Sequence, residues 1–308
     1  MYREVNRIIG ERENGSEDGF WGPVTSTIDW CESNYVVSYY IAEFWNSVSN
    51  LSFIIPPLIV CKEMWSSQRV DKVYLLSLIY MAFTGLGSFA FHSTLKFEMQ
   101  LWDELSMVWS ALFVLFLVIK ILKPKESSSY IMPLIAYGLA TNSVYLFIKI
   151  PIIFQVCYAI IHFSVIFFSY RLSRLYPVDR RLYFATILLT TFAFILWNID
   201  NHFCPQLERL RNFFLPRLCA PFTQFHALWH VLAGYGSFSL ILYCIQAQLY
   251  AKQQSYHLVP HCLAGMTLRQ AEEGTTDFFP SPADHGMRFA LSGIKFPQKL
   301  NSSSFKQD

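Results

Sequence analysis

The sequence predicts an all-α membrane protein, a seven-transmembrane helix bundle with a luminal N-terminus and a cytosolic C-terminus. Three observations support this fold class. Of the 308 residues, 53% are hydrophobic and only 15% are charged, whereas a soluble domain carries about 25% charged residues. Seven charge-poor runs each approach the roughly 20 residues that a helix needs to cross the hydrocarbon core. The basic residues near the ends of these runs are concentrated on one side of the predicted membrane.

The seven predicted spans follow one another through short connections. They cover residues 40–61, 74–93, 101–122, 130–148, 151–170, 182–199 and 221–249. The fourth and fifth spans are the least clearly separated, because only Lys149, Ile150 and Pro151 stand between them. This boundary fits either two closely connected helices or one kinked pair.

The distribution of Lys and Arg predicts the orientation of the bundle. One side carries Lys62, Arg69, Lys72, Lys120, Lys123, Lys125, Arg171, Arg174, Arg180, Arg181, Lys252 and Arg269. The opposite side carries only Lys96, Lys149, Arg209, Arg211 and Arg217. The positive-inside rule places the richer side, with the C-terminus, in the cytosol. The N-terminus, with a glycosylation acceptor at Asn14, is then expected in the lumen. The first span is expected to serve as the targeting signal, because no cleavable signal-peptide pattern precedes it.

The spans divide the chain into three regions. Residues 1–38 are expected to form a luminal N-terminal segment, residues 39–250 the membrane domain, and residues 251–308 a disordered cytosolic tail, since their composition is polar and charged. Cys31 and Cys204 both fall on the luminal side, where disulfides form. Their spacing leaves a disulfide and two free thiols equally open.

Ionisable side chains within a membrane span are costly and therefore mark functional candidates. These side chains are Glu43, His92, Asp103, Glu104, His162, His226 and His230. The predicted topology places His92, His226 and His230 at a similar depth, together with Asp103. Three histidines with an open fourth position are the ligand set of a catalytic zinc ion. Histidines bonded to neighbours in the protein core are the alternative, and this is our interpretation of His162.

Zinc bound in this way polarises a carbonyl group and activates water near neutral pH. Asp103 is then a candidate general base, whereas its alternative role is a carboxylate favoured at a helix N-terminus. Ser88 lies one helical turn before His92 and is a candidate donor to a developing oxyanion. Its alternative role is helix packing.

The segment before the first span carries several hard oxygen ligands. They are Asp29, Glu32, Asn34 and Glu43. Together with backbone carbonyls they suit calcium, although their spacing is not that of an EF-hand loop. An ordinary solvated acidic segment is the alternative.

Four long stretches of the chain carry a family resemblance. They are GFWGPVTSTIDWCESNYVVSYYIAEFWNSVSN, GSFAFHSTLKFEMQLWDEL, FILWNIDNHFC and TQFHALWHVLAGYGS. Over roughly residues 19–250 the chain resembles the alkaline ceramidases, most closely those of the phytoceramidase type. The resemblance implies an intramembrane zinc amidase of the endoplasmic reticulum or Golgi. Such an enzyme hydrolyses ceramide, dihydroceramide or phytoceramide to a sphingoid base and a fatty acid, with calcium as a supporting ion.

The resemblance also implies a role for each site residue. By position, the zinc ligands are His92, His226 and His230, the catalytic pair is Ser88 and Asp103, and the calcium ligands are Asp29, Trp30 through its backbone carbonyl, Glu32, Asn34 and Glu43. The expected partners are a ceramide substrate within the bilayer and membrane lipids. Neither nucleic acid nor an obligate protein partner is expected.

Two alternatives belong to other functional classes. One is a zinc-containing seven-transmembrane receptor of the adiponectin-receptor type, but its termini face the opposite way and it lacks the segment from Asp29 to Glu43. The other is a structural or chaperone-like membrane protein that has lost its chemistry. Four intact residues argue against it: His92, Asp103, His226 and His230.

Overall fold

The computed structural model describes residues 19–176, 178–215, 217–254, 256–262 and 264–270. Seven helices among these residues are long and apolar enough to cross a membrane. They are span 1 (Phe44–Trp65), span 2 (Lys72–Thr94), span 3 (Phe97–Leu122), span 4 (Ser127–Ile148), span 5 (Pro151–Leu175), span 6 (Arg180–His202) and span 7 (Phe225–Ala251). The prediction of a seven-span helical membrane protein is confirmed.

Spans 4 and 5 are two separate helices. The α-helix of span 4 runs over Ile131–Ile148 and ends at Lys149, whose backbone is left-handed with φ of 55°. The next α-helix begins at Pro151, which has no backbone N–H to donate and is therefore well tolerated in the first turn. The sequence was also compatible with a kinked pair. The break between Ile148 and Pro151 shows that spans 4 and 5 are two helices.

Span 7 lies at the centre of the bundle, and small residues allow its neighbours to approach closely. A Cβ atom on Gly234 would lie 2.6 Å from the Ser52 Oγ of span 1. A Cβ atom on Gly236 would lie 2.9 Å from the side chain of Thr190 in span 6. The Thr186 hydroxyl also donates to the Gly236 carbonyl at 3.2 Å. Close approach of this kind is how membrane helices pack without a hydrophobic driving force.

One end of the bundle, here called the site end, is where spans 2 and 6 finish and spans 3 and 7 begin. The chain preceding span 1 crosses this end and is tied to it by backbone hydrogen bonds. The N–H of Ala42 donates to the Ser93 carbonyl, and the N–H of Glu43 donates to the His92 carbonyl, both at 2.9 Å. The N-terminal segment and the end of span 2 therefore form one local structure.

A β-hairpin follows span 7 at the opposite end of the bundle. Its antiparallel strands are β1 (Tyr256–His261) and β2 (Gly265–Gln270). Glu63 of span 1 accepts hydrogen bonds from His261 Nε2 at 2.9 Å and from Thr267 Oγ1 at 3.0 Å, and Leu268 is buried in the main core. The prediction of a disordered tail from residue 251 is therefore wrong for the hairpin, because its backbone is paired and its apolar side chains are covered. Residues 271–308 lie outside the described part of the chain.

Candidate metal centre

Three buried histidines converge at the site end. His92 lies in the last turn of span 2, whereas His226 and His230 occupy the first two turns of span 7. One nitrogen from each of the three rings lies within 4.8 Å of a nitrogen of each other ring. None of the three histidines is more than 2% exposed. The structure therefore brings together the three residues that the sequence places at one depth.

Two of the histidines are oriented by a hydrogen bond to the ring nitrogen that faces away from the cluster. His92 Nδ1 lies 2.6 Å from Glu43 Oε2, and His230 Nδ1 lies 2.8 Å from Ser49 Oγ. The Ser49 hydroxyl donates to the carbonyl of Asn46, so it accepts the proton of His230. Outer partners of this kind are typical of metal-binding histidines, because they fix the tautomer and leave the other nitrogen as a ligand.

The inner side of the cluster fits a metal ion. His92 Nε2 and His226 Nδ1 are buried and have no hydrogen-bond partner, which is rare for polar atoms in a folded protein. The His226 ring stacks on Trp30, with ring centroids 3.7 Å apart and planes 15° from parallel. A divalent ion bound by neutral imidazoles would satisfy these nitrogens, and three histidines are a ligand set that zinc uses at catalytic sites.

Ser88 and Asp103 lie beside the histidines. Ser88 is one turn before His92 in span 2, and its Oγ lies 3.4 Å from His230 Nε2. Asp103 belongs to span 3. Both side chains are buried, yet both line the same internal cavity as His230. A donor and a candidate base thus meet next to a candidate metal centre.

The cavity extends from this centre into the bundle. Its deeper wall is apolar and includes Met81, Met107, Val114, Val165, Leu240 and Ile241. His162 also lines the cavity, is only partly buried and lies 6.2 Å from the Tyr158 ring. The structure therefore places His162 on the wall of the cavity, and our interpretation of it as a bonded core histidine stays a prediction. Helical periodicity shows which face of a span turns inward, but it does not distinguish a packed core from a cavity wall.

Two buried carboxylates connect the N-terminal segment to the histidines. The Glu32 oxygens accept the N–H groups of Trp45 and Asn46, each at 2.8 Å, in the first turn of span 1. Burial and the neighbouring charge of Glu43 raise the pKa of Glu32 to about 8. Glu43 itself is 0% exposed and accepts from His92. A cation between these carboxylates would offset both their burial and their mutual repulsion.

The remaining predicted calcium ligands differ in burial. Asn34 Oδ1 is buried without a hydrogen-bond partner, which fits an oxygen ligand. Trp30 is buried, and its N–H donates to Glu43 Oε1 at 3.4 Å. The side chain of Asp29 is exposed to solvent. The evidence for a second ion therefore consists of the buried oxygens of Glu32, Glu43 and Asn34.

Comparisons with known proteins place this arrangement in a family. The ceramidase family model matches residues 22–263, a range that includes every residue of the candidate centre. The chain belongs to the ceramidase family. The predictions of family and of enzyme class, a hydrolase of a linear amide bond, are confirmed. The receptor alternative is not favoured by this membership.

Similar relatives of this ceramidase-family protein come from an animal, a fungus and a plant. Alkaline ceramidase 3 of Mus musculus is 41% identical over 230 residues, covering 74% of this chain and 85% of the relative. Alkaline ceramidase YPC1 of Saccharomyces cerevisiae is 30% identical, covering 74% and 78%. The alkaline ceramidase of Arabidopsis thaliana is 33% identical, covering 73% and 86%.

The sequence did not identify all residues that surround the centre of this ceramidase-family protein. Ser49 is an ordinary serine in a span, and nothing in its local sequence signals a contact with His230. Asp200 is buried near the end of span 6 and was missed because the predicted span ended at residue 199. Glu104 was one of the candidates, but its carboxylate accepts hydrogen bonds from Tyr145 and Gln100. Cys31 and Cys204, left open by the sequence, form a disulfide.

Proposed function

We propose that this chain is an intramembrane zinc-dependent amidase that hydrolyses the N-acyl bond of ceramides. Ceramide, dihydroceramide or phytoceramide would yield a sphingoid base and a free fatty acid. The observation that carries the proposal is the cluster of buried His92, His226 and His230 nitrogens, because His230 lines a largely apolar cavity together with Ser88 and Asp103. A lipid amide can reach this depth with its chains in the bilayer, and the apolar wall suits one of those chains.

The side chains divide the reaction between them. His92, His226 and His230 would hold the zinc ion, which would supply a Lewis acid for the scissile carbonyl. Asp103 takes a proton from the attacking water and passes it to the nitrogen of the departing sphingoid base. The Ser88 hydroxyl donates to the carbonyl oxygen as negative charge develops there. Because both groups are buried, their interactions with the reacting atoms are not screened by bulk water.

A calcium ion bound where the N-terminal segment, residues 1–38, meets the catalytic membrane domain, residues 39–250, would support that domain. Its proposed ligands are Asp29, the backbone carbonyl of Trp30, Glu32, Asn34 and Glu43. Glu43 has two roles in this proposal, because it also accepts the His92 proton that orients this zinc ligand. The calcium site therefore acts on the reaction through the position of His92, without contacting the substrate.

The site end is proposed to face the lumen of the endoplasmic reticulum or Golgi, with the C-terminus in the cytosol. We expect Asn14 to be glycosylated in cells, and a tag after Asp308 to bind antibody when only the plasma membrane is permeabilised. The reason is the excess of basic residues on the opposite side. Asn14→Gln should remove the glycan-dependent shift in gel mobility. A tag that stays protected until the organelle membrane is opened would contradict the orientation.

A lipid assay tests the activity itself. The purified full chain is incubated with a panel of ceramides of different acyl length, and the released sphingoid base is measured. We expect release from at least one ceramide, loss of release after treatment with a zinc chelator, and recovery when zinc is restored. Activity of the purified chain alone would also show that no protein partner is required. Full activity in protein from which all metal has been removed would contradict the zinc mechanism.

A further inference from the structure

We infer that Asp200 is a positioning residue that holds the zinc ligand His226 and the N-terminal segment in one fixed arrangement. The inference rests on the proposed zinc site. It concerns how that site is held in place, because Asp200 belongs neither to the histidine cluster nor to the residues that line the cavity.

The first contact of Asp200 is with the helix that carries two of the histidines. Asp200 lies near the end of span 6 and is 1% exposed. Its Oδ1 atom accepts the backbone N–H of His226 at 3.2 Å. This N–H belongs to the first turn of span 7, where the helix itself supplies no acceptor, and the side chain of Gln224 does not cap the turn. A carboxylate is favoured at a helix N-terminus, so Asp200 fixes the start of span 7 against the end of span 6.

The second contact is with the N-terminal segment. Asp200 Oδ2 accepts the backbone N–H of Cys31 at 3.2 Å, and the guanidinium group of Arg211 donates to the Cys31 carbonyl at 2.7 Å. The preceding residue, Trp30, stacks on the His226 ring, and the following residue is Glu32. The carboxylate of Asp200 therefore accepts hydrogen bonds from the backbone of His226 and from the backbone of Cys31, the residue after Trp30.

These contacts determine where the His226 ring can lie. The backbone sets the origin of the side chain, and the stacked indole restricts its rotation. Asp200 holds the backbone of His226 and of Cys31, which follows Trp30, in place. The disulfide links Cys31 to Cys204, which lies four residues after Asp200 in the chain. A metal site requires its ligands to be held in the productive geometry by surrounding residues. Loss of Asp200 should therefore loosen His226 even if the disulfide remains.

The test compares Asp200→Ala and Asp200→Asn with a matched control, Asp179→Asn. Asp179 caps the other end of span 6 by accepting the N–H of Arg181 at 2.9 Å. Each purified full-length variant is loaded with zinc, and the rate of zinc transfer to a coloured chelator is measured. The visible spectrum of the cobalt-substituted protein reports the ligand geometry, and the melting temperature of the metal-free protein reports the stability of the fold.

We expect Asp200→Ala to release zinc about tenfold faster than wild type, the scale of effect seen when outer-shell partners are removed. Asp200→Asn should be intermediate, because its single amide oxygen can replace only one of the two acceptor atoms. Its cobalt spectrum should shift, whereas Asp179→Asn should match wild type. If Asp200→Ala does not fold, Asp200→Asn carries the test. Wild-type zinc release and cobalt spectra in the Asp200 variants would overturn the inference, even if their melting temperatures fall. A wild-type chain that holds no zinc would instead contradict the proposed function.

Discussion

Replacing His226 or His230 by Ala is expected to remove bound zinc and to lower ceramide hydrolysis by about 10³-fold, since the Lewis acid contributes several kcal/mol and each 1.4 kcal/mol is a factor of ten. Three protein ligands leave none to spare, so a site with two histidines should not hold the ion at ordinary concentrations. His230 is the sharper choice of the two, because its ring also borders the cavity next to Ser88.

The measurement is zinc content and sphingoid-base release in the same purified samples. His202→Ala is the matched control, because His202 is an exposed histidine at the end of span 6 and is not part of the cluster. It should keep both zinc and activity. Stoichiometric zinc in both His226→Ala and His230→Ala would show that the histidines are structural, and the proposed mechanism would then fail.

A second pair of substitutions separates the calcium site from the catalytic base. Asp103→Asn should keep its zinc and lose activity by about 10²- to 10⁴-fold, because the amide cannot accept a proton from water. Glu32→Ala should also keep its zinc but lose much of its activity, since the segment that orients Glu43 and His92 would be less well held. Raising the calcium concentration should partly restore Glu32→Ala, because losing one of several oxygen ligands weakens a calcium site without abolishing it. Calcium should not restore Asp103→Asn.

The experiment is a calcium titration of ceramide hydrolysis for wild type and both variants, with zinc measured in each sample. Glu98→Ala provides the control, because Glu98 is an exposed glutamate in the first turn of span 3 at the same end of the bundle. Its calcium curve should match that of wild type. If Glu32→Ala also follows the wild-type curve, the calcium site is excluded, and the buried carboxylates of Glu32 and Glu43 serve only as hydrogen-bond acceptors.

The membrane fold follows from the sequence because its signal is local. A run of about 20 apolar residues must satisfy its own backbone hydrogen bonds in hydrocarbon, which makes it a helix regardless of its neighbours. The order of the spans then places His92 near the end of one helix and His226 and His230 near the start of another. Their common level could therefore be predicted from connectivity alone. The four long stretches around these residues likewise carried enough information to indicate the family.

Only the tertiary structure decided which groups meet, because the periodicity of a span indicates its inward face but not which side chains of the other spans that face contacts. The contacts of Glu43 with His92 and of Ser49 with His230 join residues 49 and 181 positions apart. The same holds for Asp200, which reaches Cys31 across 169 positions. His162 lines a cavity that no sequence pattern distinguishes from a packed core, and the strands after span 7 were obscured by the polar composition of the whole tail. Local sequence determined the elements and their predicted depth, whereas the packing of distant elements determined the partners of His92, His230 and Asp200.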